Sequence, residues 1–356
     1  MRTPKLLALA SLANLAAASS IACSGGTTVT TDPDVALVYQ QPTILDCSSA
    51  DTSFGDVDGD RRDDLVMTCK TSSKYELRAY IGGSLDQPVS TDVDGSGWLY
   101  DVDGDGMKDY VTSSSVYFAI GKGNFSSPTK ASLPQYGESR FDVDGDGFPD
   151  ILTYDSSKTT VTAWSVAANA VMTKLFTVSD VGFPSYGDLD GDGKLDIFYA
   201  KGSSIVARYG KGGGNFGAQQ VVTTLDGAVR AVRTIDIDGD GKVDMVASMG
   251  SGALIGWELL RNDGSGKLTV VKTIARVNDV SMSFEDATGD GKIDVVLTKD
   301  EALAIAPGLG TGSFLDATVV TGPWSKAGGV TFADVNRDGK KDLIVPDSSV
   351  SVLLRK

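Results

Sequence analysis

The stretch Asp188-Leu189-Asp190-Gly191-Asp192-Gly193-Lys194-Leu195-Asp196 decides how the rest of the chain is read. Carboxylates stand at its first, third, fifth and ninth positions, and glycines at its fourth and sixth. A hard cation such as calcium takes about six to eight oxygen ligands at about 2.3–2.6 Å, and short Asp side chains on a tightly turning backbone can supply them. Glycine lets the turn close without a Cβ clash. The seventh residue would add its backbone carbonyl, and the ninth carboxylate would complete the shell. The pattern therefore reads as a compact calcium loop. It is shorter than the twelve-residue loop of an EF-hand, and its flanks, 183–187 and 197–200, read as strands rather than helices.

The same nine positions recur seven times. The first copy offers Asp56, Asp58, Asp60 and Asp64, the second Asp101, Asp103, Asp105 and Asp109, and the third Asp142, Asp144, Asp146 and Asp150. The fourth is Asp188, Asp190, Asp192 and Asp196, and the fifth Asp236, Asp238, Asp240 and Asp244. The sixth has Asp286, Thr288, Asp290 and Asp294, and the seventh Asp334, Asn336, Asp338 and Asp342. Successive first positions are 45, 41, 46, 48, 50 and 48 residues apart. One acidic Gly-rich turn is weak evidence, but seven at a near-constant period mark a repeat architecture.

The chain has 356 residues, 47 Asp and Glu against 32 Lys and Arg, and a formal charge of −15. A surface that binds a nucleic-acid backbone must present cations, so nucleic acid is excluded as a partner. Seven bound Ca2+ ions would bring −15 to about −1, which makes the acidity mostly ligand. The 42 glycines carry no three-residue period, so the chain is not collagen-like.

Residues 1–22 read as an export signal, with Arg2 and Lys5 ahead of a small, apolar run. Ser20-Ile21-Ala22-Cys23 resembles a bacterial lipoprotein cleavage box, with Ser20 where Leu is usual and Cys23 as the residue to be lipidated. The polar tract 23–33 would be a flexible tether, and no other stretch is long enough for a membrane helix. The expected product is a secreted protein or a surface or outer-membrane lipoprotein. Cys47 and Cys69 bracket the first loop, and an exported protein can oxidise them. The expected disulfide would clip the strand before that loop to the strand after it; the alternative is a buried free pair.

Between loops, each repeat holds four short apolar runs bounded by Gly-rich turns. Around loop four these end at 186–187 and then run 195–199, 205–209 and 219–223. Similar third strands fall at 75–81, 116–120, 160–164, 254–260 and 350–354, and similar fourth strands at 175–178, 269–272 and 318–320. Four strands per period predict an all-β, seven-bladed propeller over 34–356. After loop seven only two strands remain, so an amino-terminal strand, read at 35–39, is expected to complete the last blade and close the ring.

On Phe54-Gly55-Asp56, Tyr186-Gly187-Asp188, Phe332-Ala333-Asp334 and the DxDGDGxxD loops, the sequence resembles the FG-GAP/VCBS family of seven-bladed propellers. Integrin alpha heads and several secreted lectins are of this kind. The resemblance spans 35–356 and implies calcium between the first and second strands of each blade, with protein or glycan as ligand. Departures set expectations loop by loop. Arg61 replaces the sixth-position Gly of loop one, Thr288 is a weak neutral ligand in loop six, and Asn336 and Arg337 stand at the third and fourth positions of loop seven. Loops two to five are expected to bind most tightly and loop seven to stay vacant.

The chain contains no histidine, which removes Ser-His-Asp and Cys-His catalysis and imidazole-based zinc sites. Glycoside hydrolysis needs two acids about 5–9 Å apart across a cleft, and the uncommitted acids Glu76, Glu138, Asp155, Glu258 and Glu301 form no recognisable pair. A polysaccharide lyase is the remaining catalytic alternative, and the expectation is no enzyme. A carbohydrate-binding or protein-binding module fits better. Trp98 and Trp324, each shortly before a loop, are the candidate ligand-stacking residues, whereas Trp164 and Trp257 lie inside regular strands and read as packing.

Overall fold

The computed structural model describes residues 39–47, 51–71, 74–130, 137–144, 150–166, 172–250, 256–275, 281–299, 302–320, 330–346 and 349–356. Strand β1 (Thr43–Leu45) precedes the first blade, which is β2 (Asp51–Gly55), β3 (Asp64–Lys70), β4 (Tyr75–Tyr80) and β5 (Val89–Val93). The second blade is β6 (Gly97–Tyr100), β7 (Asp109–Thr112), β8 (Ser115–Tyr117) and β9 (Thr129–Lys130). The third is β10 (Gly137–Phe141), β11 (Asp150–Asp155), β12 (Thr160–Val166) and β13 (Met172–Ser179). The fourth has β14 (Pro184–Gly187), β15 (Asp196–Lys201) and β16 (Ser204–Arg208), then a small hairpin of β17 (Gly210–Gly212) and β18 (Asn215–Phe216), and ends with β19 (Gln220–Thr224). The fifth is β20 (Val229–Ile235), β21 (Asp244–Met249), β22 (Gly256–Asn262) and β23 (Leu268–Ala275). The sixth is β24 (Ser281–Glu285), β25 (Asp294–Lys299), β26 (Ala302–Ala306) and β27 (Thr318–Val320). The seventh is β28 (Thr331–Ala333), β29 (Asp342–Pro346) and β30 (Val350–Leu353), with β1 on its outer edge.

Every blade is an antiparallel meander, so each acidic loop is the turn between its first and second strands. The closing strand is β1, with Thr43 opposite Val352 and Leu45 opposite Val350. It lies later in the chain than the segment 35–39 read as the closing strand. Tyr39 makes only a lone bridge to Arg355, and 35–38 lie outside the described residues. Thr43-Ile44-Leu45 is shorter than the apolar run 35–39 and so a weaker strand signal, but Leu45 alone faces inward, and it is buried.

Burial follows strand position. The second strand β3 is buried at six consecutive residues, because both its faces meet a neighbouring blade. Side chains alternate across a strand, so Leu65, Met67 and Cys69 pack toward the last blade while Val66 packs toward the second. Outer strands such as β5 alternate with solvent instead. The buried apolar side chains fall into seven clusters among the described residues, each shared by two adjacent blades. One of them, with Leu45, Leu65, Ile344 and Val350, joins the last blade to the first. Among the described residues no blade has a cluster to itself, so ring closure lets the first and last blades share a core as the others do.

The disulfide forms between Cys47 and Cys69, with Cα atoms 5.3 Å apart. Its topology differs from the expected clip within one blade. Cys47 follows the outer strand of the last blade and Cys69 lies in the second strand of the first, so the bond staples the seam where the ring closes. Beside it, Arg78 donates to the Asp46 carbonyl at 2.5 Å.

Candidate metal loops and ligand cleft

Each loop is wound around its own first carboxylate. In loop four, Asp188 Oδ1 accepts from the N–H groups of Gly191 at 2.8 Å and Asp192 at 3.0 Å, and Oδ2 from Gly193 at 2.8 Å. Asp236 in loop five and Asp286 in loop six repeat this set. The wrap needs left-handed backbone at the fourth position, met by Gly191 at φ +76° and Gly239 at φ +75°. Two residues that replace loop glycines, Arg61 and Arg337, take the same conformation at φ +68° and +64°.

The ninth carboxylate ties the loop to the rest of its blade. Asp196 Oδ2 accepts from Leu189 at 2.8 Å, and Oδ1 accepts from Gly210, beyond the third strand, also at 2.8 Å. Asp109, Asp244, Asp294 and Asp342 each bind two backbone N–H groups in this way. Sequence reading assigned this residue only to a metal. For Asp196 and Asp294 the available signal was the glycine fourteen residues on: a Cβ at Gly210 would stand 2.2 Å from the Leu195 carbonyl oxygen, and one at Gly308 1.9 Å from that of Ile293. Burial pushes the Asp109 carboxyl up to about 7 and those of Asp64, Asp196 and Asp342 up to about 6, with the backbone N–H donors partly opposing.

The first, third and ninth carboxylates converge. In loops one to five they bring one oxygen each within 4.8 Å of one another: Asp56, Asp58 and Asp64; Asp101, Asp103 and Asp109; Asp142, Asp144 and Asp150; Asp188, Asp190 and Asp196; Asp236, Asp238 and Asp244. The third position also carries oxygens that the protein leaves without a partner. Asp190 Oδ1, Asp238 Oδ1 and Thr288 Oγ1 are buried and accept or donate no hydrogen bond. A buried oxygen without a partner is costly, and a hard cation would satisfy it. The residues of loops two to five fit calcium on these grounds, and loop six retains Asp286 and Asp294 with Thr288 between them. The fifth-position acids turn outward, where Asp192, Asp240 and Asp290 pair with Lys194, Lys242 and Lys292. Asp146 of loop three lies outside the described residues. In loop seven Asn336 bonds within its own loop, its Oδ1 accepting from Asp338 N–H at 3.0 Å.

Away from the loops, two clefts lie on either side of β20. The one between the fifth and sixth blades has a volume near 450 Å³ and is lined by Arg233, Ser248, Trp257, Met282, Phe284 and Glu285 among others. The other, between the fourth and fifth blades, is near 420 Å³ and has Phe183, Ser185, Tyr186 and Arg233 on its walls. Trp257 and Phe284 tilt together with ring centroids 6.5 Å apart. Burial raises the Glu285 carboxyl, against a bond from Ser283.

Three of the four tryptophans lie among the described residues. Trp257 is half-buried and forms a cleft wall as well as packing with the fifth and sixth blades. Trp98, on the first strand of the second blade, is half-buried against the cluster that holds Tyr100, Phe118 and Trp164. Trp164 donates to Thr153 Oγ1 at 3.2 Å. Trp324 and Cys23 lie outside the described residues. Among the described residues no helix is long and apolar enough to cross a membrane.

Residues 101–153, 188–247 and 286–345 match the family model described as FG-GAP-like repeat, and these segments contain loops two to seven. No curated protein matches the sequence. Among solved structures, a lectin of Agrocybe aegerita that recognises non-reducing terminal N-acetylglucosamine is similar at TM-score 0.57 and 18% identity, covering 85% of this chain and 86% of the lectin. BBS1N, solved in complex with ARL6DN, is similar at TM-score 0.55 and 10% identity, covering 90% of this chain and 98% of its own. At these identities the likeness is one of fold. The chain is a seven-bladed β-propeller, and six of its seven acidic loops fall in segments that match the FG-GAP-like repeat.

Proposed function

We propose that this protein is an exported, calcium-stabilised binding module whose ligand is a carbohydrate. The observation that carries the reading is the pair of clefts sharing Arg233. Each combines aromatic walls, Trp257 and Phe284 on one side and Phe183 and Tyr186 on the other, with polar groups from first strands. An aromatic face stacks on the apolar face of a sugar ring, while Arg and Glu fix its hydroxyls. The fold shared with a lectin supports the same class of ligand. Calcium would be held by loops two to six and would act on rigidity, since the loops are turns within blades. The disulfide supports export to an oxidising compartment, with residues 1–22 as the signal and Cys23 as the lipid attachment point. A non-catalytic role agrees with the absence of histidine and with the commitment of most Asp residues to loops.

The test is a glycan array on the mature protein, with Trp257→Ala and Arg233→Ala run beside the wild type. Binding of a defined sugar set that either variant abolishes is the expected result. Binding untouched by both variants would move the site elsewhere on the propeller, and no binding would defeat the carbohydrate reading.

A second reading, a surface protein-interaction scaffold, has its own observation. Val221, Val270, Val319 and Ile44 are exposed on the outer strands of the fourth to seventh blades in turn. Each of four consecutive blades thus presents one apolar side chain at its outer edge, which a protein partner lying across the blades would cover. A pull-down that Val270→Lys abolishes, with no glycan bound, would favour it.

A further inference from the structure

Arg337 stands at the fourth position of loop seven, where the other six loops have glycine. Its backbone is left-handed at φ +64°, a conformation that a long side chain adopts only at a cost. The side chain does not sit among the acids of its own loop. It crosses the seam into loop one, where it is 14% exposed. Nη2 donates to Asp64 Oδ1 at 2.7 Å and lies 4.0 Å from Asp58 Oδ2, and Nη1 donates to the Asp60 carboxylate. These are the ninth, third and fifth positions of loop one. The remaining acid, Asp56, is already surrounded by the N–H groups of Asp58, Gly59 and Arg61.

We propose that Arg337 is the resident cation of loop one, so that this loop takes no calcium and the seam between the last and first blades holds without metal. A guanidinium is planar, permanently charged and presents several donors in a fixed fork, so one side chain can satisfy carboxylates that elsewhere await a divalent ion. Calcium at the same carboxylates would lie beside a fixed positive charge that cannot deprotonate. Arg61, replacing the sixth-position glycine of loop one, and Arg62 beside it add two further cations to that loop. The strained backbone at residue 337 is thereby explained: glycine would relax the turn but would leave Asp58, Asp60 and Asp64 without a counter-charge. The disulfide spans the same seam, so the one joint that depends on chain closure is made by permanent contacts.

The metal arm of the test rests on the calcium reading of the loops; a second arm does not. Native mass spectrometry at saturating calcium should give the same ion count for the wild type and Asp58→Asn, whereas Asp190→Asn should lose one ion. Arg337→Gly should gain one ion, and adding Asp58→Asn should remove it, which assigns the gain to loop one rather than to loop seven. Loss of an ion in the Asp58→Asn single variant, or no gain in Arg337→Gly, overturns the proposal. If Asp190→Asn loses no ion, the calcium reading itself fails and melts in chelator decide. There Arg337→Gln should lower the midpoint by about 5 °C. Adding Asp60→Asn should then raise the midpoint, although the same substitution lowers it in the wild type, where Asp60 accepts from Arg337. An effect of one sign in both backgrounds would show that Arg337 is not the counter-charge.

Discussion

Cys47 and Cys69 are 22 residues apart in sequence and bonded to each other, yet they belong to different blades: the last and the first. Their bond closes a loop containing the strand-to-strand passage from the outer edge of the seventh blade to the core of the first. Constraining such a loop in the unfolded chain stabilises the folded state by about 3 kcal/mol. Cys47→Ser with Cys69→Ser should therefore lower stability by about that amount, measured by denaturant unfolding of the wild type and variant in chelator. Equal midpoints would mean that β1 alone holds the seam.

Asp109 is fully buried and accepts from Val102 and Ala119, both at 2.8 Å. Asp109→Ala should cost about 3 kcal/mol or more, because two buried N–H groups lose their acceptor at once. Asp105→Asn, at an outward fifth position of the same loop, should cost less than about 1 kcal/mol in chelator. Similar losses for the two would contradict the division of roles within the loop.

Calcium should raise the melting temperature and chelator should lower it, each loaded loop contributing about 2.7 kcal/mol when free calcium is a hundred times its dissociation constant. Asp190→Asn and Asp238→Asn should each reduce the calcium-induced shift, since each removes a buried oxygen that has no protein partner. A midpoint indifferent to calcium in the wild type would defeat the metal reading.

Asp94, in the link between the first and second blades, gathers Thr112 Oγ1 at 2.7 Å, Ser114 Oγ at 2.9 Å, Ser115 Oγ at 2.5 Å and Lys130 Nζ at 2.9 Å. Burial opposes its ionisation, but the hydroxyls of Ser115 and Thr112, then Lys130 and Ser114, outweigh burial and hold the carboxyl well below the usual range. A depressed folded value contributes stability that is present above the unfolded pKa of about 4 and is lost as pH falls through the folded value. Asp94→Asn should thus be less stable than wild type by about 1–3 kcal/mol at pH 7. The gap should narrow below about pH 4. Thermal melts from acid to neutral pH check this, and a gap that widens on acidification would reverse the sign of the argument.

The sequence by itself determined the repeat, the nine-residue loop and the four-strand period, because each rests on contacts between residues close in the chain. Left-handed backbone at the fourth position, which glycine adopts most readily, and an Asp at the first are needed by the turn itself, so Asp188 and Gly191 were legible without a fold. Thr318–Val320 was legible as a strand from its run alone. Tertiary structure decided which partners meet across blades. Only the closed ring brings β1 to the last blade, turns Cys47 toward Cys69 across the seam, and sends Arg337 into the acids of loop one. Trp257 reads in sequence as one more strand residue, and it lines a cleft only because β24 of the next blade stands opposite it. Local periodicity encodes a blade, but a site between blades depends on the angle and register at which two of them pack, and that is set by shared cores whose halves lie tens to hundreds of residues apart.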